Sequence, residues 1–202
     1  MSAIAHLVDS VHPNVLRLSL VRTAFDRAVV SLLLRLPLCI QSLARSIIPG
    51  YFLPQKVILK SLKRDWDDEF ENEKTMYKRL ESLQGRVIPT LYGEAQYERS
   101  PALVLSYVDG ILPFKQDPDA PLDADEFESR VESALWEFTT FGVAYGDTKL
   151  DNFLIVRDGV VLVDLEAVSE VEPNLYELAV TSHLDHLMMQ YKSYLANRYD
   201  DY

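Results

Sequence analysis

The sequence predicts an α+β fold, either one compact domain or two small lobes sharing a cleft. Three observations predict it. Strand-like apolar runs crowd the first half, at 16–20, 57–60, 87–97 and 102–106, and recur as a pair at 153–163. Stretches of helical period lie at 66–83, 123–141 and 175–196. The chain has 202 residues, of which 48% are hydrophobic, enough to bury a sizeable core.

Charge and cysteine usage exclude some functions. The formal net charge is −11 with a pI near 4.8, which argues against a nucleic-acid surface, because neutralising phosphates needs clustered Lys and Arg. Cys39 is the single cysteine, so no internal disulfide forms and a reducing, intracellular setting, cytoplasmic by expectation, follows. The opening residues lack the basic start and continuous apolar core of a secretory signal. The run Ala28 to Ile40 is too short to span a bilayer and is interrupted by Arg35 and Pro37.

Residues 1–14 read as a loose arm ending at Pro13. Leu16, Leu18 and Leu20 alternate with Arg17 and Ser19, a half-buried strand. Ala28 to Leu36 is dense enough in Val and Leu for a central strand, although leucine, arginine and alanine also favour a helix. Pro37 ends it either way. Gln41 to Ile48 is weakly helical and Pro49-Gly50 is a turn. Val57-Ile58-Leu59-Lys60 is a strand that closes on a lysine. From Trp66 to Leu83, Phe70, Glu73, Met76, Tyr77, Leu80 and Leu83 recur at helical spacing, behind acids (Asp65, Asp67, Asp68) that suit a helix start. Glu73 falls on the apolar stripe, where an unpaired carboxylate is costly. Glu69 lies one turn earlier, and Glu71 faces the polar side.

Gly85 is placed to cap that helix. Two strands, Val87 to Tyr97 and Ala102 to Ser106, follow. Pro113 to Asp123 has no period and reads as a loop. Asp123 or Asp125 caps a helix to about Phe141, with Phe127, Val131, Leu135 and Phe138 inward and Trp136 read as packing. The last helix runs from about Leu175 to Ala196, with Leu178, Leu184, Leu187 and Met188 apolar. His183 and His186 lie on it without a third His or Cys to complete a metal site.

Tyr145 to Glu166 organises the rest. It reads YGDTKLDNFLIVRDGVVLVDLE, with Asp147, Lys149 and Asn152 spaced D-x-K-x-x-N. Apolar strands Phe153 to Val156 and Val160 to Val163 flank an Asp158-Gly159 turn, a strong hairpin signal because both turn positions want positive φ. The hairpin returns Asp164 towards Asn152 and Asp147. Two carboxylates and an amide oxygen meeting there make a hard-oxygen site suited to Mg²⁺, and the lysine beside them suits a phosphate.

This stretch resembles the catalytic loop and metal-binding segment of the protein-kinase-like superfamily, H-R-D-x-K-x-x-N followed by D-F-G. Here Tyr145-Gly146 stands for His-Arg and Asp164-Leu165-Glu166 for Asp-Phe-Gly. The resemblance covers about Val57 to Glu166, and Lys56 to Gly85 with the following YGEAQY also looks like small kinase-like proteins of fungi. It implies a bilobal fold, with a β-rich N-lobe at 15–110 and a reduced, mainly helical C-lobe at 111–202. It implies Asp147 as catalytic base, Lys149 as the phosphate-facing lysine, and Asn152 and Asp164 as Mg²⁺ ligands. Val57 to Lys60 resembles the V-A-I-K strand, so Lys60 would hold the ATP phosphates, paired with Glu73 (Glu69 is the second choice). Tyr107 to Gly110 matches the hinge, where Tyr107 and Asp109 would meet adenine; a plain turn is an equal reading.

Two departures stand against the pattern. No G-x-G-x-x-G can be written, since Gly50 is the only glycine before Gly85, and no A-P-E segment or long activation loop follows Glu166. The resemblance therefore implies either a phosphotransferase, acting on a protein Ser/Thr or a small-molecule hydroxyl, or a pseudokinase that only binds.

Overall fold

The computed structural model describes residues 2–8 and 12–199. The fold is α+β, and the chain divides into two compact units that are not consecutive in sequence. The first comprises 1–65 and 90–107, the second 66–89 and 108–202. The helix carrying Glu73 groups with the second unit. No helix among the described residues is long and apolar enough to cross a membrane.

The first unit is a five-stranded antiparallel sheet in the order β1-β2-β3-β5-β4. Its strands are β1 (Ser2–Leu7), β2 (Val15–Val21), β3 (Lys56–Ser61), β4 (Leu91–Tyr97) and β5 (Ser100–Ser106). The alternation in β2 holds: Leu16 and Leu20 are buried, and Leu16 joins Leu59 and Ala102 in a core covered by Leu18, Ala95, Tyr97 and Val104. The expected loose arm instead supplies β1, which pairs along its length with β2, Ser2 opposite Val21 and Leu7 opposite Leu16. All six of its residues are exposed, so backbone pairing rather than burial holds it, which hydrophobic period cannot reveal. The part of that arm at 9–11 lies outside the described residues. The strand expected to start at Val87 starts at Leu91, and Gly93, at φ +141°, sits where its register with β5 shifts. Glu98 and Arg99 form the β4–β5 turn, both at positive φ (50° and 72°), the geometry that matches strand twist.

The central strand expected at 28–36 is a helix, α1 (Ala24–Leu33), followed by α2 (Leu38–Ile47). The deciding feature is a capping box. Asp26 N–H donates to the Thr23 hydroxyl at 3.1 Å, and Thr23 N–H donates to the Asp26 carboxylate at 2.9 Å, satisfying two donors that a helix start otherwise leaves open. The same carboxylate oxygen also accepts from the Thr23 hydroxyl at 2.9 Å, and the two bonds it accepts from Thr23 hold the Asp26 carboxyl below its ordinary range.

The second unit holds α3 (Asp67–Arg79), α4 (Ala124–Thr139), β6 (Val143–Tyr145), β7 (Phe153–Val156), β8 (Gly159–Leu162), β9 (Val168–Glu170) and α5 (Tyr176–Asn197). β6 pairs with β9 and β7 with β8, each antiparallel. The expected stripes are buried: Phe70, Glu73, Met76, Tyr77, Leu80 and Leu83 from α3 and the turn after it, and Phe127, Val131, Leu135 and Phe138 from α4. Asp123 caps α4 through Asp125 and Glu126 N–H groups. Gly85 does not cap α3. Leu80 does, and Gly85 takes a positive φ in the turn beyond, donating to Ile88 O. Trp136 and Leu178 are exposed rather than packed. On α5, His183 is partly covered and His186 exposed.

Candidate functional site

The site grows from the end of β6. Gly146 follows Tyr145 where the chain passes against Ala167; a Cβ at Gly146 would lie 2.7 Å from the Ala167 carbonyl oxygen. That approach explains a glycine at this position. The loop then closes on itself: Lys149 N–H donates to Asp147 O at 2.9 Å, and Asn152 N–H to Lys149 O at 3.0 Å. Gln190 of α5 holds the loop from outside, donating to Thr148 O at 2.9 Å.

Asp147, Lys149 and Asn152 meet as their spacing predicts. Asn152 is buried, and its amide nitrogen donates to both the backbone oxygen and the carboxylate of Asp147, each at 3.0 Å. Lys149 Nζ donates to that same carboxylate oxygen at 3.1 Å and lies 3.0 Å from the other. That hydrogen bond, more than the charge of Asp147 itself, raises the Lys149 pKa above its ordinary value. With its nitrogen so engaged, Asn152 presents its amide oxygen as the atom left for a cation.

Asp164 arrives through the hairpin. Phe153 pairs with Leu162, and Val163 N–H donates to Asn152 O at 2.9 Å. The turn is Arg157-Asp158, one residue earlier than expected. Gly159 pairs with Val156 and lies in the strand, and neither turn residue takes a positive φ. Asp164 itself takes the left-handed conformation, φ 66°, which costs a non-glycine residue roughly 1 kcal/mol. Its carboxylate accepts from Glu166 N–H at 3.2 Å, a turn aspartate forms readily.

α3 grips this segment. Glu73 accepts from Leu165 N–H at 3.3 Å, and the Asn72 amide nitrogen donates to the carbonyl oxygens of Glu166 and Val168, both at 2.9 Å. Carboxylate oxygens of Glu73, Asp164 and Glu166 lie within 4.8 Å of one another, a hard-oxygen group whose chemistry suits Mg²⁺ or Ca²⁺. Glu166 and Asn72 were not singled out from sequence. Glu166 had a signal, as a second acid two residues after Asp164; Asn72 had none. The phenols of Tyr77 and Tyr145 are fully buried, which together with the nearby Glu73 and Asp164 charges pushes both pKa values well above the usual tyrosine range. Both remain neutral, and Tyr145 donates to Val163 O at 2.6 Å.

The other expected residues lie elsewhere in the two units. Lys60 is buried in β3, opposite Val15 and Leu103. Tyr107 closes the first unit, with Lys56 Nζ 5.2 Å from its ring centroid, and exposed Asp109 belongs to the second. Compared with known families and with curated proteins, the sequence matches no family model and no curated protein.

Proposed function

We propose that this chain is a minimal, atypical protein-kinase-like phosphotransferase of bilobal type, moving the γ-phosphoryl group of ATP to a hydroxyl acceptor. The observation that supports it best is the Asp147 carboxylate, engaged by both Lys149 and Asn152 on a loop whose hairpin delivers Asp164. In this reading Asp147 orients the acceptor hydroxyl and takes its proton. The hydroxyl oxygen bonds to the γ-phosphorus as the bond to the bridging oxygen of ADP breaks. Lys149, kept cationic by Asp147, offsets charge on the transferring group.

In this reading Asp164 and the Asn152 amide oxygen would hold Mg²⁺, joined by Glu166, whose carboxylate lies within 4.8 Å of that of Asp164. Bound there, the metal would supply charge neutralisation at the phosphates. Following the resemblance, Lys60 and Glu73 are assigned to the ATP phosphates and Tyr107 and Asp109 to adenine. Lys149 favours a protein Ser/Thr acceptor, because small-molecule kinases of the superfamily more often lack that lysine. A cytoplasmic setting belongs to the same proposal. The competing reading is a pseudokinase, favoured by the missing glycine-rich segment, without which backbone N–H groups cannot close over phosphates in the usual way.

The test follows label from γ-labelled ATP beside Mg-dependent nucleotide binding. Asp147→Asn is expected to keep binding and lose transfer by about 10²–10⁴-fold. Asp164→Asn is expected to weaken Mg-dependent binding itself, a neutral amide being the poorer ligand. Wild-type binding without transfer to itself or to a broad acceptor panel selects the pseudokinase; no binding at millimolar Mg-ATP removes both readings.

A further inference from the structure

α1 and α2 bury almost nothing. The only buried residue of α1 is Asp26, and α2 has none. Their main packing is against the turn at 49–52 rather than against the sheet. Phe25 and Leu32, two turns apart on α1, are 72% and 63% exposed. On α2, Ile40, Leu43 and Ile47 repeat at i, i+3 and i+7, and Leu43 and Ile47 are 61% and 69% exposed. Isolated helices of ten residues are marginal in water, so an outward apolar stripe on each calls for a covering surface.

Charge identifies the surface. Residues 1–64 hold nine Lys and Arg against two acids, Asp9 and Asp26, while 65–202 hold 11 against 29. From Arg27 to Arg64 there is no acid at all. In the helical segment Arg27, Arg35 and Arg45 are exposed. Apolar stripes beside exposed arginines, with Asp26 the one acid of the two helices and buried, make the composition of a helix that lies in a bilayer interface. A nucleic-acid backbone would leave the Leu and Ile side chains without a use. The excess acid of residues 65–202 opposes approach only over about a Debye length, roughly 8 Å at physiological salt.

We infer that α1 and α2 form a docking surface for an anionic lipid bilayer, with Phe25, Leu32, Leu43 and Ile47 entering the interface and Arg27 and Arg35 meeting the headgroups. The surface peripherally anchors the chain and spans nothing.

The experiment sediments the full chain with phosphatidylcholine vesicles made with and without phosphatidylserine. Binding is expected only with phosphatidylserine, and is expected to weaken as salt rises. Leu43→Asp with Ile47→Asp should reduce partitioning by at least about tenfold, and Arg27→Glu with Arg35→Glu by a similar factor. All four side chains are exposed, so melting temperature and circular dichroism should stay near wild type. The two pairs change different chemistry, so one misfolded variant leaves the other decisive. No sedimentation with phosphatidylserine vesicles overturns the inference, as does equal binding to phosphatidylcholine alone. It is also overturned if the chain self-associates without lipid and Leu43→Asp with Ile47→Asp makes it monomeric, since a second copy then covers the face.

Discussion

The side-chain amide of Asn152 donates at 3.0 Å both to the backbone oxygen of Asp147 and to its carboxylate. One buried group therefore sets the loop's shape and the direction of its acid together. Asn152→Ala should destabilise the fold by about 1–3 kcal/mol, because the backbone oxygen and the carboxylate of Asp147 each lose a donor in a part-buried place, the backbone oxygen keeping only Lys149 N–H. Asn152→Asp should cost more, since it sets a second carboxylate against Asp147, and Mg²⁺ should restore part of that loss. Urea unfolding with and without Mg²⁺ measures both. Equal stability of Asn152→Asp and wild type in metal-free buffer would show that the amide donors do not matter.

Asn72 ties α3 to the segment carrying Asp164 through the carbonyl oxygens of Glu166 and Val168. Asn72→Ala leaves two acceptors without this donor and should lower stability by about 1–3 kcal/mol. Asn72→Asp replaces the donor with an acceptor facing two carbonyl oxygens, so it should be the worse of the two. A ranking with alanine worse than aspartate would contradict the geometry.

Two glycines should respond oppositely to alanine. At Gly146 a Cβ would meet the Ala167 backbone oxygen at 2.7 Å, and backbone cannot swing aside, so Gly146→Ala should cost about 1–3 kcal/mol. Gly159 has nothing within 4 Å of a Cβ and no positive φ. Gly159→Ala should be neutral, or stabilising by about 0.4–1 kcal/mol through the unfolded chain. Chemical denaturation of the two variants side by side decides it.

His183 should make the fold sensitive to mild acid. Burial lowers its pKa below the ordinary 6.5, and neighbouring His186 adds to the effect. Below about 6.5 the unfolded chain takes up a proton that folded His183 resists, so the unfolded state binds more protons and stability falls as pH falls. Melting temperature should drop between about pH 7 and 5, and His183→Gln should flatten that part of the profile. His186→Ala should shift it only slightly, since the charge of His186 is the smaller cause. An unchanged profile in His183→Gln would assign the acid sensitivity to other groups.

Much of the second unit was legible because its information is local. The stripes of α3 and α4 repeat within a few residues, so periodicity alone located Phe70 to Leu83 and Phe127 to Phe138. The D-x-K-x-x-N spacing likewise put Asp147, Lys149 and Asn152 on one short loop, and the two apolar runs after it implied a hairpin. The turn within that hairpin was read one residue late, because strand pairing, which sets Val156 against Gly159, overrode the Asp-Gly signal. In the run at 28–36, apolar density carried no period to separate strand from helix, and the Thr23–Asp26 capping box upstream decided it.

Composition and spacing in the chain by themselves determined an α+β protein with one acid-, lysine- and asparagine-bearing loop at 145–166. Tertiary structure alone decided which groups join that loop. Asn72 and Glu73 lie more than ninety residues before the backbone groups they bind, and Gly146 is required only because Ala167 returns beside it. No local pattern encodes such contacts, since they exist only once α3 and β9 have packed. The same holds for β1, whose side chains are all exposed: inter-strand hydrogen bonds place it, and those depend on a partner strand rather than on its own residues.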